Sequence, residues 1–283
     1  MASLGVCLVT QAGLEQIATS AQGKVGAAAM VLETGESVAI RGDQHFPMQS
    51  VYKFPIAMAV LRQVDSGILK LDRMVRIEKG ELVPPGLHSP IRDAHPNGGE
   101  MPLREILRYA VAESDGTASD VLMRLAAGPG PIERYVKGLG VDGIAIATTE
   151  MEMSRGQMVQ YRNWATPNGM LKLLKAFEEG RGLTAGSRDL LTRWMTETGT
   201  GPHRIKGLLP AGTVVAHKTG TSGTAHGLTR ATNDVGIVTL PDGRHMAIAV
   251  FVSDSRADEA TREGVIARIA KMAWDTWAQP KKH

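Results

Sequence analysis

The sequence predicts an α+β fold, with strands from both ends of the chain in one sheet and a helical lobe inserted between them. β-rich segments occupy residues 25–41 and residues 214–253, close to the two ends. Between them, residues 50–194 show helical patterns separated by loops rich in proline and glycine. Because the helices lie between the two groups of strands, we expect the terminal strands to pair with each other.

The N-terminal part is predicted to contribute a short helix and two strands. Residues 14–21 form the predicted helix, and residues 25–32 and 37–41 form the strands. Thr34 and Gly35 are typical of a turn and are expected to join the two strands.

The middle of the chain is predicted to be helical. Proline and glycine clusters at residues 84–86, 95–99 and 128–131 mark the loops between helices. The predicted helices are residues 50–64, 102–111, 114–125, 131–139, 167–178 and 187–196.

The C-terminal part returns to strands and ends in a helix. The predicted strands are residues 214–218, 229–240 and 246–253, with a tight turn at residues 241–244. The closing helix, residues 257–277, has one apolar face, formed by Val265, Ile266, Ile269, Met272 and Ala273. This face is expected to pack against the rest of the protein.

Length and charge set broad limits on the class of protein. The chain has 283 residues, enough for one large domain or two modest ones. Its formal charge of +3 comes from 32 basic and 29 acidic residues, without a basic run beyond Lys281-Lys282. We therefore expect no nucleic-acid partner, and the mild positive balance is compatible with an anionic small substrate.

The sequence gives little information on cellular location. No stretch approaches the roughly 20 apolar residues of a membrane-spanning helix. Residues 4–10 are apolar, but the segment is short, follows no basic residue and lacks a convincing cleavage site for a signal peptide. Cys7 is the single cysteine, which excludes a disulfide within the chain.

Ser50 and Lys53 form a Ser-x-x-Lys motif at the start of the first long predicted helix. A lysine three residues after a serine lies on the same helical face, within reach of the hydroxyl. The serine N–H lacks an intrahelical partner and, together with the helix dipole, favours an oxyanion. This pattern indicates a nucleophilic serine, and the alternative is a helix cap beside a solvated lysine.

Two further motifs follow in the chain. Ser-Asp-Gly at residues 114–116 lies at a predicted helix start, and Lys-Thr-Gly at residues 218–220 ends a predicted strand. Alone, the first motif is explained by a helix cap and the second by a strand that enters a turn. Together with Ser-x-x-Lys they resemble the catalytic motifs of class A β-lactamases and penicillin-binding proteins.

Longer segments extend this resemblance, which runs from about residue 14 to the C-terminal helix. They resemble the PER-type extended-spectrum branch of the class A β-lactamases, and are residues 46–50, 160–164, 201–213, 216–223 and 231–234. The resemblance implies a three-layer serine β-lactamase/transpeptidase-like fold, with an antiparallel sheet flanked by helices plus an all-helical lobe. It implies a sheet domain of residues 1–48 and 195–283, a helical domain of residues 49–194, and a catalytic cleft between them.

The resemblance also implies roles in the opening of a β-lactam ring, which needs a nucleophile, a proton acceptor, an oxyanion hole and a proton donor for the ring nitrogen. Ser50 would be the nucleophile, and Lys53 its hydrogen-bonded neighbour. Ser114 would pass a proton to the ring nitrogen. Lys218 would hold Ser114, and its charge would attract the substrate carboxylate.

The third motif and the residues after it are expected to bind the substrate. Thr219 and Thr221 would contact the substrate carboxylate through their hydroxyls, and the N–H groups of Ser50 and Thr221 would form the oxyanion hole. Gly220 would let the strand edge approach the ligand closely. Ser222, in the same segment, is also expected to bind substrate.

Glu150 is expected to activate the water that hydrolyses the acyl-enzyme, because its spacing from the Gln-Tyr-x-Asn-Trp block at residues 160–164 matches the family. Glu152 competes for this role but is expected to face away. Gly116 replaces an asparagine of the second motif, which should widen the site. Ser154 stands where many relatives have an asparagine that helps to hold the water.

Two further positions depart from the usual pattern of the family. Thr148 and Asn163 occupy the ends of the loop that an Arg–Asp pair usually clamps, so we expect a roomier loop conformation. Arg204 is expected to reach the substrate carboxylate from an adjacent strand or loop. An ordinary surface arginine is the alternative.

The implied function is hydrolysis of penicillins and cephalosporins, and hence antibiotic resistance, without a metal or organic cofactor. Eight histidines stand singly, and none forms a metal-binding pattern. The resemblance also implies a monomer, secreted or periplasmic, that does not associate with membranes. The alternatives are a D,D-peptidase, which normally lacks the loop glutamate, and a β-lactam sensor that acylates without hydrolysis.

Overall fold

A five-stranded antiparallel sheet lies at the centre of the computed structural model, which describes residues 10–278. In order across the sheet, its strands are β2 (Ser37–Ile40), β1 (Lys24–Val31), β12 (His245–Ser253), β11 (Thr232–Thr239) and β8 (Val215–Thr221). β1 pairs with β12, with Ala28 opposite Ala249. The predicted pairing between the two ends of the chain is therefore confirmed.

Seven shorter strands form three small sheets. They are β3 (Phe46–Pro47), β7 (Trp164–Ala165) and β6 (Ile144–Ala145) in one sheet, β4 (Met74–Ile77) and β5 (Gly99–Pro102) in the second, and β9 (Thr224–Ala225) and β10 (Leu228–Thr229) in the third. The predicted strand 229–240 is therefore divided, because Thr229 pairs within the third small sheet and β11 begins at Thr232.

The helices occupy the segments between the strands. They are α1 (Gln11–Ala18), α2 (Lys53–Asp65), α3 (Pro90–Ala94), α4 (Leu103–Val111), α5 (Gly116–Leu125), α6 (Pro129–Gly138), α7 (Glu150–Met153), α8 (Pro167–Glu178), α9 (Ala185–Glu197) and α10 (Glu259–Trp277). Several begin directly after a Ser, Thr or Asp whose side chain accepts a backbone N–H of the first turn, such as Thr166 before α8 and Asp258 before α10. The short helices α3 and α7 were not predicted from the sequence.

Helices cover both faces of the central sheet. In β1, Val25, Ala27, Ala29 and Val31 share one core with α1 and α10, whereas Ala28 belongs to the core on the opposite face. This alternation follows from the period of two along a strand. α8 packs against β1 and β12 on that opposite face. The result is the three-layer arrangement of helices, sheet and helices.

α2 forms the centre of the helical part of the chain. All of its residues from Lys53 to Leu61 are buried, and α4, α5, α6 and α9 contact it. A helix that is apolar on all sides is expected to lie inside the protein. A 3₁₀ turn, Gln49–Tyr52, leads into α2 and replaces the first turn of the predicted helix 50–64. The buried part of α2 therefore holds Lys53, and the turn that leads into it holds Ser50.

We propose that the chain divides into the sheet domain and the helical domain expected from the sequence. The expected boundary between residues 194 and 195 falls inside α9, so a division at the end of this helix fits the elements better.

Within residues 10–278, no helix is both long and apolar enough to cross a membrane. Cys7, most of the apolar segment 4–10 and the Lys281-Lys282 pair lie outside the described residues.

Candidate active site

A cleft of about 850 Å³ lies between the edge strand β8 and the helical part of the chain. Its walls include Ser50, Lys53, Ser114 and Glu150, together with Thr221. Ser50 and Thr221, which are 171 positions apart in the chain, thus meet in one site. The candidate residues of all three motifs and of the loop contribute to this cleft or contact its walls.

Lys53 links the nucleophile candidate to its surroundings. Its Nζ donates hydrogen bonds to Ser50 Oγ at 2.8 Å and to the Ser114 carbonyl oxygen at 2.8 Å. Its side chain is only 2% exposed, which excludes the alternative of a solvated lysine. The buried ammonium is therefore directed at the Ser50 hydroxyl.

Glu150 forms a buried ion pair with Lys53. Glu150 Oε1 lies 2.8 Å from Lys53 Nζ, but the angles of this contact lie outside hydrogen-bond geometry. Among the described residues, this oxygen has no aligned hydrogen-bond donor. Charge attraction thus fixes the distance between the two groups, while the carboxylate keeps the capacity to accept a further hydrogen bond.

The second motif presents Ser114 to the third motif. Ser114 has a left-handed backbone conformation, φ +59°, and precedes the helix cap Asp115, so the predicted helix 114–125 begins two residues later, at Gly116. Asp115 is buried and accepts backbone N–H groups from Ala118 and Ile91. This anchoring fixes the turn that directs the Ser114 hydroxyl into the cleft.

Lys218 reaches Ser114 from the edge strand. Its Nζ donates to Ser114 Oγ at 2.8 Å and to the Thr219 carbonyl oxygen at 3.0 Å. Burial lowers the pKa of Lys218 well below its ordinary value, and the nearby charge of Lys53 lowers it further. Asp234 and Glu150 oppose this effect. Two buried lysines therefore flank the space between Ser50 and Ser114.

Glu152, the competing candidate for the base, is occupied elsewhere. Its carboxylate accepts hydrogen bonds from Thr148 Oγ1 at 2.7 Å and from the Thr149 N–H at 3.0 Å. Thr149 in turn caps Glu152, so the two residues form a capping box at the start of α7. The hydrogen bond from Thr148 holds the pKa of Glu152 below its ordinary value. Glu150, not Glu152, lines the cleft.

Asp120 on α5 was missed by the sequence analysis. Its carboxylate accepts the N–H groups of Glu150 at 2.8 Å and Met151 at 2.9 Å, the first two residues of α7. Burial raises the pKa of Asp120 to about 6, against the effect of these two hydrogen bonds. The feature of the sequence that could have indicated Asp120 is an acidic residue four positions after Gly116, on a helix face that also contains buried residues.

The loop that carries α7 is closed by a neutral clamp in place of an ion pair. Asn163 is fully buried, and its Oδ1 accepts the N–H groups of Ala147 at 2.8 Å and Thr148 at 3.0 Å. Its Nδ2 donates to the Thr148 carbonyl oxygen at 2.8 Å. Ser154 is exposed, and its hydroxyl donates to the Met151 carbonyl oxygen within the same loop.

Gly220 lies where β8 packs closely against the segment that carries Ser50. A Cβ at this position would lie 2.3 Å from the Met48 carbonyl oxygen and 3.2 Å from Val51. Glycine therefore lets β8 approach the segment that carries Ser50. Thr219 Oγ1 forms a hydrogen bond with Thr200 Oγ1 at 2.6 Å, and both residues line the cleft.

Arg204 is not a surface arginine. It is 3% exposed, and its Nε donates to Glu263 at 2.9 Å, while Nη2 donates to Thr221 Oγ1 at 2.8 Å. Nη1 donates to the carbonyl oxygens of Asn233 and Gly220. The guanidinium lines the cleft from behind Thr221, with several of its donors already engaged.

The remaining candidates differ in position. Ser222 lines the cleft, and its hydroxyl accepts the N–H groups of Arg230 and Ala231, which orders the turn after β8. Gly116 lies beside the cleft without lining it, and a Cβ there would meet the His88 carbonyl oxygen at 3.2 Å. Within residues 10–278, no cluster of three His, Cys, Asp or Glu side chains is arranged to hold a metal ion.

Comparison with known proteins agrees with this geometry. The family model for the β-lactamase enzyme family matches residues 10–277. The extended-spectrum β-lactamase PER-1 of Pseudomonas aeruginosa is 43% identical over 263 residues, which cover 92% of this chain and 85% of PER-1. The chain belongs to the class A β-lactamase family. The β-lactamase VEB-1 of Pseudomonas aeruginosa is 39% identical, with 93% of this chain and 88% of VEB-1 covered.

Solved β-lactamase structures share the fold. A β-lactamase from Chitinophaga pinensis is 51% identical and superposes with a TM-score of 0.91, over 94% of this chain and 98% of that one. The TLA-1 extended-spectrum β-lactamase is 42% identical with a TM-score of 0.92, over 95% and 98% of the two chains. The predicted fold class and the predicted activity, hydrolysis of β-lactams with a role in antibiotic resistance, are thereby confirmed.

Proposed function

We propose that this β-lactamase works through an acyl-enzyme on Ser50, which is hydrolysed by a water that Glu150 activates. The observation that carries the proposal is the position of Lys53 Nζ, 2.8 Å from both Ser50 Oγ and Glu150 Oε1. A buried ammonium between a hydroxyl and a carboxylate connects the nucleophile to a proton acceptor. Penicillins and cephalosporins are the proposed substrates.

In the acylation step, Ser50 Oγ forms a bond to the β-lactam carbonyl carbon, and the ring C–N bond breaks. The hydroxyl proton passes to the network formed by Lys53 and Glu150. The ring nitrogen takes a proton from Ser114, whose hydroxyl is held by Lys218 at 2.8 Å. Ser114 regains a proton from the network of Lys53 and Glu150, so Glu150 is again a carboxylate before deacylation. The left-handed turn at Ser114 supports this role, because it directs the hydroxyl toward Lys218.

Substrate binding is assigned to the wall formed by β8. The charge of Lys218 and the hydroxyls of Thr219 and Thr221 bind the substrate carboxylate, with Ser222 at the end of the same wall. The N–H groups of Ser50 and Thr221 form the oxyanion hole, where each donor contributes about 100-fold to 1000-fold in rate. Arg204 supports this wall through its hydrogen bond to Thr221 Oγ1.

In the deacylation step, Glu150 removes a proton from a water, and the water oxygen attacks the ester carbonyl carbon. The ester bond to Ser50 Oγ then breaks, and the proton on Glu150 passes through Lys53 to Ser50 Oγ, which restores both groups. Asp120 supports this role of Glu150 because it holds the first two N–H groups of α7. Ser154, one turn after Glu150, is proposed to contact the water through its hydroxyl. We further propose a monomeric, periplasmic or secreted enzyme without a nucleic-acid partner.

The proposed roles can be tested by stopped-flow hydrolysis of a chromogenic cephalosporin, with mass spectrometry of the quenched protein. Ser50→Ala should abolish turnover and adduct formation. Glu150→Gln should acylate and accumulate the adduct, because a neutral amide cannot take the proton from water. Glu152→Gln is the matched control and should turn over with little adduct.

Two outcomes would contradict the proposed roles. If Ser50→Ala retained hydrolysis, the proposed mechanism through Ser50 would be refuted. Rapid release of the adduct by Glu150→Gln would show that Glu150 is not the base. Accumulation of the adduct in Glu152→Gln instead would show that Glu152 is the base.

A further inference from the structure

Tyr52 places a phenol hydroxyl deep beneath the cleft, between the two residues of the first motif. Its side chain is fully buried, in the 3₁₀ turn that connects Ser50 to Lys53. Ser119 Oγ on α5 donates a hydrogen bond to the Tyr52 hydroxyl oxygen at 3.1 Å. Since this oxygen accepts from Ser119, the Tyr52 proton is available for another acceptor.

The neighbouring carboxylates decide where this proton goes. Burial raises the pKa of Tyr52 well above its ordinary value. The charges of Glu150 and Asp120 raise this pKa further, and so does a hydrogen-bond interaction with Glu150. Both Asp120 oxygens already accept N–H groups of α7. Glu150, in contrast, has a buried oxygen without an aligned donor among the described residues.

A buried hydroxyl proton without an acceptor is costly, and so is a buried carboxylate oxygen without a donor. Tyr52 and Glu150 satisfy each other if the phenol donates to the carboxylate. Lys53 contacts the same carboxylate by charge, at 2.8 Å from Oε1. A cation and a neutral donor on rigid elements would then hold the carboxylate in one orientation.

We propose that Tyr52 is a positioning residue for deacylation, whose hydroxyl donates to the Glu150 carboxylate and holds it toward the hydrolytic water. This inference rests on the proposed role of Glu150 as the base. Tyr52 acts only through Glu150, because the contacts of Ser50 Oγ and Ser114 Oγ are made by Lys53 and Lys218. The hydrolysis of the adduct should therefore depend on Tyr52, whereas its formation should not.

Tyr52→Phe tests the inference because it removes the hydroxyl and keeps the buried ring. A hydrogen bond to a charged group corresponds to a rate factor of about 10 to 100 if it is lost in the reacting state. We expect the decay of the isolated acyl-enzyme to slow by this factor, while kcat/KM, which reports acylation, stays within about twofold. KM should fall together with kcat as the adduct accumulates.

Ser119→Ala is the matched control from the same network, since it removes a bond to Tyr52 but leaves the phenol proton directed at Glu150. It should slow adduct decay by less than about threefold. If Tyr52→Phe leaves adduct decay unchanged, or if it lowers kcat and kcat/KM equally, the inference is wrong. An equal effect of both variants would also overturn it, because the role would then be one of packing.

A parallel measurement on Glu150→Gln separates this inference from the proposed function. Accumulation of adduct in Glu150→Gln but not in Tyr52→Phe would refute only the role of Tyr52. Normal turnover in Glu150→Gln would refute the role of Glu150 itself, and the positioning role would fail with it.

Discussion

Asp120→Asn changes the partly buried carboxylate that anchors the loop containing Glu150. Asp120 accepts one N–H on each oxygen, from Glu150 and Met151. An asparagine has a single acceptor oxygen, so one of these N–H groups would face an amide NH₂ group. We expect slower deacylation, because α7 is held less firmly. The same substitution removes a titrating group, which gives a sharper, thermodynamic prediction.

The magnitude follows from the pKa of Asp120, which burial raises from 3.8 to about 6. The native state therefore binds the proton more tightly than the unfolded chain. The stabilisation that results is fully present below the unfolded pKa and is lost as the pH rises through about 6. The full difference corresponds to about 3 kcal/mol. Because Asp120 is partly exposed, screening by solvent reduces this to about 2 kcal/mol.

The measurement is urea unfolding of the wild type and Asp120→Asn between about pH 4 and 7. The free energy of unfolding of the wild type, relative to the variant, should decrease by about 2 kcal/mol over this range. Asp142→Asn, at an exposed position, provides the same chemical change and should show no comparable trend. A constant difference between wild type and Asp120→Asn across the range would refute the argument.

Two further substitutions test the supports of the cleft. Arg204→Ala leaves the buried Glu263 carboxylate unpaired and should lower the free energy of unfolding by about 3 kcal/mol, measured in urea. Adding Glu263→Gln should restore part of this loss, and no recovery would contradict the ion-pair explanation. Asn163→Ala leaves two loop N–H groups without their acceptor. It should lower stability by about 3 kcal/mol and increase the acyl-enzyme in the steady state, and an unchanged adduct level would count against the clamp.

The sequence was sufficient to find Ser50, Lys53 and Ser114, which the cleft brings together, because their motifs are short and local. Ser-x-x-Lys, for example, needs only one helical turn to place Lys53 beside Ser50. The start of α5 was less predictable. Ser114 adopts a left-handed conformation, and the helix begins only after Asp115. Ser114 and Asp115 are both typical of a helix cap, and the buried contacts of Asp115 make it the cap of α5.

Contacts between distant segments could not be predicted in this way. Asp120 and Tyr52 are unremarkable in the sequence, and their roles arise only when α5 packs against α7 and the Ser50 turn. The neighbour of Gly220, the Met48 carbonyl oxygen, follows from the packing of β8 against the turn that carries Ser50. The sequence pattern indicates which residue types matter, whereas the packing of the folded chain determines which atoms those residues contact.

The charge of Lys218 beside the cleft gives a last prediction. Lys218 is fully buried, and within residues 10–278 no carboxylate forms an ion pair with it, so a substrate carboxylate would be its first close counter-ion. Burial and the charge of Lys53 lower its pKa, so the cation is lost as the pH rises through this lowered value. KM for a carboxylate-bearing β-lactam should therefore increase as the pH rises through the pKa of Lys218. Lys218→Arg, whose guanidinium stays protonated, should abolish this increase, and an equal rise in both proteins would place the titrating group elsewhere.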